Sequence, residues 1–315
     1  MAQVGTPKFY ISWGDWWRSI GIAVPRHQTI SPHETSPVTL SSSSTWWNFL
    51  GATTVSEDYP VGINWVGVLN HDLNKDYKFI IKQQNASNNA QNSFNFTDTK
   101  VNYGDGEINY AGFSIGTTES LAWTNMNGGD VGIHTGGGTV SELPVDSDIT
   151  FNIGCWLYGN YYDMSHAADL NLTLTRDYSN IKTIETKGGT SLSNDFGSSP
   201  PKWGERSAWQ LGDQDFSTGG RRIWDLSFSF LSDSSVFPDN PTEISDGGGW
   251  EVDDTTPDFI SEVVKKCNGG QLPFIFQPNT DENIFAICKF DQNSFNFQQT
   301  APDLYSCKVR IREVW

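Results

Sequence analysis

RRIWDLSFSFLSDSSVFP, Arg221–Pro238, carries the clearest strand signature in the chain. Trp224, Leu226, Phe228 and Phe230 fall on one side of it and Asp225, Ser227 and Ser229 on the other. Successive strand side chains point to opposite faces, so this alternation assigns the large apolar groups, Phe230 included, to a core and the small polar ones to the outer face. Ser234–Pro241 then reads as a turn region leading into a helix and three further strands.

Working outward, the bulk composition points the same way. The 315 residues suffice for about two domains of roughly 150 residues. Aromatic residues make up 13%, Gly contributes 30 and charged residues only 18%, and long helical patterns rich in Glu, Lys and Ala are missing. Short aromatic runs between Gly, Asn, Asp and Ser turns predict a mainly β fold. No apolar run reaches the length of a membrane span. The opening MAQVGTPKFYISWGDWW lacks a basic region followed by an apolar one, so a signal peptide is not expected. A net charge of −17 opposes phosphate-based nucleic-acid binding and favours an acidic, solvated surface.

In chain order, Phe9–Trp13 reads as a strand, and the prolines Pro25, Pro32 and Pro37 with Ser41–Ser44 read as an extended arm within residues 21–44. Strands follow in TWWNFLG, GINWVGVLNHDL, Tyr77–Gln83, INYAGFSIG, SLAWTNM, DITFNIGCWLYG and DLNLTLTRD, where Leu170, Leu172 and Leu174 alternate with polar residues. Asn85–Ser93 and Met126–Gly138 read as loops, and the Gly-, Ser- and Pro-rich run within 178–220 as a connector. Many short strands with turn signals between them suit a sandwich or jelly roll. The expected organisation is an N-terminal strand and arm at 1–44, a jelly-roll domain at 45–195 and a C-terminal β-domain at 196–315 with one short helix at 257–268. In that helix Thr255 or Thr256 is the cap, Pro257 and Asp258 suit the first turn, Phe259, Ile260, Val263, Val264 and Cys267 form one apolar stripe, and Gly269 takes the left-handed end.

Candidate chemistry is sparse. Gly112–Gly116 spells G-x-S-x-G, but the flanking pattern is β and not the strand–turn–helix elbow that activates such a serine. Asp163, His166 and Asp169 are spaced three apart between two strands, where turn hydrogen bonding is the commoner use than metal binding. The carboxylate pairs Asp213/Asp215 and Asp253/Asp254 would serve a glycosidase only if two carboxyl groups were held about 5–10 Å apart in a cleft, a distance that sequence spacing does not fix. The glycine-rich 126–138 run lacks the lysine of a phosphate loop. Cys155, Cys267, Cys288 and Cys307 show no zinc spacing and are expected to be reduced and buried, with a Cys288–Cys307 bridge left open. No catalytic, metal or cofactor residues are expected, and the chain is not read as an enzyme.

The blocks RRIWDLSFSFLSDSSVFP, NGGQLPFIFQP, FAICKF and KVRIREVW resemble the terminal region of bacteriophage virion structural proteins of the tail and baseplate. WVGVLNHDL, IGCWLYGNYYDMSHAADLNLTLTRDY and GGTSLSN are similar to a jelly-roll, galactose-binding-like domain of such proteins, which the resemblance places at 45–195, and VGTPKFYISW is similar to their N-termini. The resemblance implies a virion protein made in the host cytoplasm, a distal-tail or hub-like ring component whose partners are copies of itself and other tail proteins. It implies neither nucleic-acid binding nor membrane insertion. Pro25, Pro32 and Pro37 of the arm and Trp315 at the last strand are the expected assembly contacts. The alternative is a carbohydrate-binding module for host surface glycans, which exposed Trp and Tyr on one face would favour and buried aromatics would not.

Overall fold

The computed structural model describes residues 5–21, 23–24, 26–31, 36–40, 47–48, 65–70, 79–84, 90–95, 113–117, 131–135, 149–177, 182–194, 202–203, 206–207, 210–212, 221–238, 257–282 and 284–314. These form a mainly β protein of antiparallel strands. Two units are distinguished: residues 1–11, 162–238 and 258–315 make the first, and 12–161 with 239–257 the second. The units interleave along the chain, where composition suggests consecutive domains divided near 195–205. The reason is a pairing that composition does not reveal. The strand Lys8–Ser12 sets Phe9 opposite Phe276 and Tyr10 opposite Ile275, so the N-terminal strand belongs to the C-terminal sheet.

In the first unit the strand order is Thr173–Asp177, Arg221–Ser232, Leu304–Glu313, Ile284–Phe290, Phe274–Gln277 and Lys8–Ser12. Gln210–Gly212 adds to Ile284–Phe290, and Phe297–Ala301, a strand with no clear sequence signal, adds to Leu304–Glu313. The core lies on the face carrying Trp224, Leu226, Phe228, Val309 and Ile311. Phe9 is its hub: its ring centroid is 5.3 Å from that of Phe276, 5.6 Å from Phe274, 5.8 Å from Phe259 and 6.0 Å from Phe290. A buried aromatic of this kind contributes roughly 1.5–3 kcal/mol from burial alone.

The expected helix is present but wide-turned, π-helical over Ile260–Lys265. Asp258 makes a capping bond, its Oδ1 accepting from the Ser261 N–H at 2.8 Å, while Thr255 and Thr256 lie outside the described residues. Burial raises the Asp258 pKa. Phe259, Val263 and Cys267 are buried in the core, and Glu262 is salt-bridged to Lys266 at 2.7 Å with both nearly inaccessible. Gly269 ends the turn at φ 64°, as expected of a left-handed terminus. Arg222 and Glu313 form a second buried pair. Glu313 Oε2 accepts from the Arg222 N–H at 2.9 Å and from Nε at 3.2 Å, and Oε1 accepts from Nη2 at 2.9 Å. Arg222 also donates to the Phe285 carbonyl at 3.2 Å and lies over the Trp224 ring. Burial opposes the charge on this guanidinium, and the Glu313 carboxylate more than reverses that, raising the Arg222 pKa.

The second unit is described in three strand groups. Trp65–Leu69 lies between Cys155–Asp163 and Phe113–Thr117. Phe79–Gln84 pairs with Ala90–Asn95 and with Val131–Thr135, which also meets Trp47–Asn48. Parts of the expected loops 85–93 and 126–138 are therefore strands. Their polar and Gly-rich residues gave no alternation to read. Within the stretch expected to be an arm, Ser36–Leu40 pairs with Ile149–Ile153, Gln28 and Thr29 are buried, and the Ile30 N–H donates to Asp15 Oδ2 at 2.9 Å. The described part of 21–44 thus packs within its unit. Ser12 caps the helix Trp13–Ser19, accepting from the Asp15 N–H at 3.3 Å.

All four cysteines are free and buried. Cys288 faces Phe274 and Glu313 across the sheet and Cys307 faces Phe228 and Phe297, so the two are not cross-strand neighbours. Burial pushes the thiols of Cys155 and Cys307 up to about 12. Two outcomes are expected. A thiol reagent should label none of the four cysteines in the native protein and all four in denaturant. Glu313→Gln, which strands a buried guanidinium, should cost about 3–5 kcal/mol in urea unfolding, whereas an effect below about 1 kcal/mol would mean that the pair is hydrated.

Candidate functional site

The most unusual backbone in the first unit lies in its longest strand. Arg221–Ser232 pairs regularly with Leu304–Glu313 down to Phe228 opposite Cys307, and then slips so that Leu231 stands opposite Tyr305. Three residues on one strand span two on the other, which makes a β-bulge. Phe230 takes up the extra length with φ 64° and is turned out of the sheet, 72% exposed. The alternation that assigns Phe230 to the core therefore stops two residues short. A left-handed conformation costs a non-glycine residue about 1–2 kcal/mol, so the surrounding structure must hold it.

The segment after Tyr162 does so. Met164 is tied to the start of the chain, its N–H donating to the Pro7 carbonyl at 3.0 Å, and Met164 and Ala168 are buried in the core. His166 Nε2 lies 2.7 Å from the Ser229 carbonyl oxygen and Nδ1 lies 3.0 Å from Ser165 Oγ. A carbonyl can only accept, so Nε2 carries the proton and Nδ1 is free to accept from the serine. Asp169 grips the strand twice: its N–H donates to the Ser227 carbonyl at 2.8 Å, and its Oδ2 accepts from Ser229 Oγ at 2.9 Å. The His166 ring also meets Phe228 edge-on at 6.2 Å. Leu170, next to Asp169, is fully exposed at 102%. Alternation assigns it to one face with Leu172 and Leu174, which are partly buried against the core. A clamp of polar groups thus presents two apolar side chains, Leu170 and Phe230, to solvent.

The spaced trio Asp163, His166 and Asp169 does not converge. Asp163 pairs with Lys8 at 3.2 Å, while the other two hold Ser229. No metal-binding group of His, Cys, Asp or Glu occurs among the described residues. Ser114 of the G-x-S-x-G match stands mid-strand opposite Val68, without the elbow that the motif requires. Of the expected assembly residues, Pro37 lies in a paired strand opposite Asn152 and is exposed. Pro25, Pro32 and Trp315 lie outside the described residues, as do Asp213/Asp215, Asp253/Asp254 and the SLAWTNM segment.

Among the residues with described side chains, the aromatic ones are mostly core. In the second unit Trp13, Trp17, Trp156 and Tyr158 are buried and form a chain of rings, Trp156 stacked on Tyr158 at 5.3 Å and beneath His27 at 6.2 Å. Burial lowers the His27 pKa. No Trp or Tyr occurs among the exposed large hydrophobic side chains of the described residues. Those are Ile20, Leu170, Ile184, Leu192 and Phe230. Sequence reasoning missed the last four. The one available signal was Gly188-Gly189 between TIET and TSLS, a hairpin cue inside the run read as a connector.

Comparison with protein-family models, curated proteins and solved structures finds no match.

Phe230→Gly should remove backbone strain while sacrificing little packing, and should raise stability by about 1 kcal/mol in thermal or urea unfolding. His166→Ala should lower it by about 1–2 kcal/mol by freeing the Ser229 carbonyl. A loss of stability in Phe230→Gly would show that the ring is packed rather than displayed.

Proposed function

We propose that this protein is a structural subunit that works by assembling with copies of itself and other proteins, as a ring component of a phage tail or baseplate, with each unit a sandwich of jelly-roll type. One observation carries the assembly reading. The large apolar groups that reach solvent among the residues with described side chains are aliphatic side chains and one phenylalanine held in a strained conformation, while each Trp and Tyr in that set is at least partly covered. Dispersed aliphatic groups on a rigid sheet suit protein–protein contacts, which exclude water around a few anchors. Sugar recognition instead uses open aromatic rings with polar groups beside them. The virion setting is supported by the resemblance of the C-terminal strands and of the middle segment to tail and baseplate proteins. The acidic surface, at net charge −17, keeps the free subunit dispersed until specific contacts form.

Mass photometry of the purified chain, with negative-stain images of the same sample, tests this reading. Closed rings of threefold or sixfold symmetry are expected as concentration rises. A monomer at every concentration together with binding on a glycan array would replace it with the carbohydrate-binding alternative.

A further inference from the structure

Among the described residues, four of the five exposed large hydrophobic side chains lie in the first unit, and they occur as two pairs. Leu170 and Phe230 directly follow Asp169 and Ser229, which are hydrogen-bonded to each other. Ile184 and Leu192 stand opposite one another in the hairpin formed by Lys182–Glu185 and Ser191–Asn194, so they share one face of the ribbon. They are 65% and 56% exposed. The hairpin forms a sheet of two strands only. Its turn is firmly closed: Gly189 has φ 79°, its N–H donates to the Thr186 carbonyl at 2.9 Å, and the Thr190 N–H donates to Thr186 Oγ1 at 3.0 Å. A two-stranded ribbon is marginal in water, and an apolar cross-strand pair on one face is what a covering surface would stabilise.

The charges of the two places are complementary. The hairpin segment 182–194 holds two lysines, Lys182 and Lys187, and one acid, Glu185, in a chain of net charge −17. Lys187 is exposed at the turn. The surroundings of Phe230 are acidic. Asp169 lies on one side, while Asp233 and Asp303, joined by a 3.1 Å backbone bond, lie at the strand end just beyond Phe230. The cations of the same ladder, Lys308, Arg310 and Arg312, stand further along it, opposite Ser227, Asp225 and Ile223. Arg310 and Arg312 are already engaged by Asp225, Asp291 and Asp177.

We propose that the hairpin of one copy docks through Ile184 and Leu192 onto Leu170 and Phe230 of a second copy, with Lys187 against the acidic rim. This rests on the assembly reading and gives it a contact. The two surfaces differ, so the contact is heterologous and runs from subunit to subunit, closing a ring or extending a filament, rather than ending at a twofold dimer. Four side chains cover a few hundred Å² at about 150–250 Å² for the largest of them. A standard interface buries roughly 1,600 Å². The docked pairs are therefore the anchor of a larger interface and set its register.

Two double variants test this, I184S/L192S on the hairpin and L170S/F230S on the bulge. All four positions are exposed, so both variants should keep the wild-type circular dichroism. Each alone should stay monomeric where the wild type assembles. Mixed one to one, they should give a heterodimer and nothing larger, because the mixture offers one intact hairpin to one intact bulge. Assembly of both variants like the wild type would overturn the docking and leave the assembly reading standing. Loss of assembly in both with no recovery on mixing would overturn the heterologous pairing. A wild type that stays monomeric throughout would overturn both readings. A further variant, L170C/L192C, separates docking between copies from folding-back within one chain, since the native thiols are buried. Mild oxidation should give a ladder of linked chains, and linkage within single chains only would overturn the proposal.

Discussion

The register between Arg221–Ser232 and Leu304–Glu313 is the constraint on which the first unit depends. Each strand carries large apolar residues on one face and charged or hydroxylated ones on the other, so a slip of one residue would bury Lys308, Arg310 and Arg312 and expose Trp224 and Phe228. One end of the pairing is pinned by Arg222 and Glu313, whose fork-to-carboxylate geometry tolerates no offset. Such a buried pair adds little net stability compared with apolar side chains of the same volume. Its effect is on which alignment wins. With the register set, Phe9 from the N-terminal strand enters a cage of Phe259, Phe274, Phe276 and Phe290, and the wide helix closes over it.

The other end of the same pairing is relaxed by one residue, and the surface of interest arises there. The bulge costs conformational energy, which is offset by the hydrogen bonds of His166 and Asp169 to Ser229 and Ser227. An exposed aromatic in a left-handed conformation gains nothing for its own fold. A side chain that is rigid before it meets a partner loses less entropy on binding than a mobile one. The polar clamp holds Leu170 and Phe230 at the surface, and of the three residues spaced like metal ligands in sequence, His166 and Asp169 hold Ser229 while Asp163 pairs with Lys8.

Much of this could be read from the chain. The alternation of Trp224, Leu226 and Phe228, the stripe Phe259–Val263–Cys267 and the burial of all four cysteines follow from period and polarity alone, and the structure has them. The pairing of Phe9 with Phe276 could not be read, because local pattern says that a strand exists and not which strand it joins. The outward turn of Phe230 was hidden for a related reason. A bulge is a mismatch between two strands, and nothing in RRIWDLSFSFLS by itself records the length of the opposite one. Leu170 was missed because apolar residues in a strand pattern are assigned to a core by default, and the Ile184/Leu192 pair because the Gly- and Ser-rich run that holds it reads as a connector. The expected arm was legible as proline- and serine-rich, but composition did not reveal that Gln28, Thr29 and Ser36–Leu40 find places inside their own unit.

The interleaved order of the two units has a consequence for how the chain is made. Tyr10 bonds to Gln277 across 267 positions of sequence, at 2.8 Å. The strand Lys8–Ser12 leaves the ribosome long before its neighbour Phe274–Gln277. The first unit therefore cannot close until that neighbour has emerged, and its sheet forms by pairings of long sequence separation, which are slow. Until Phe274–Gln277 arrives, Phe9 and Ile11 have no core to enter, and apolar surface exposed during such a wait is what drives misassociation of slowly folding chains.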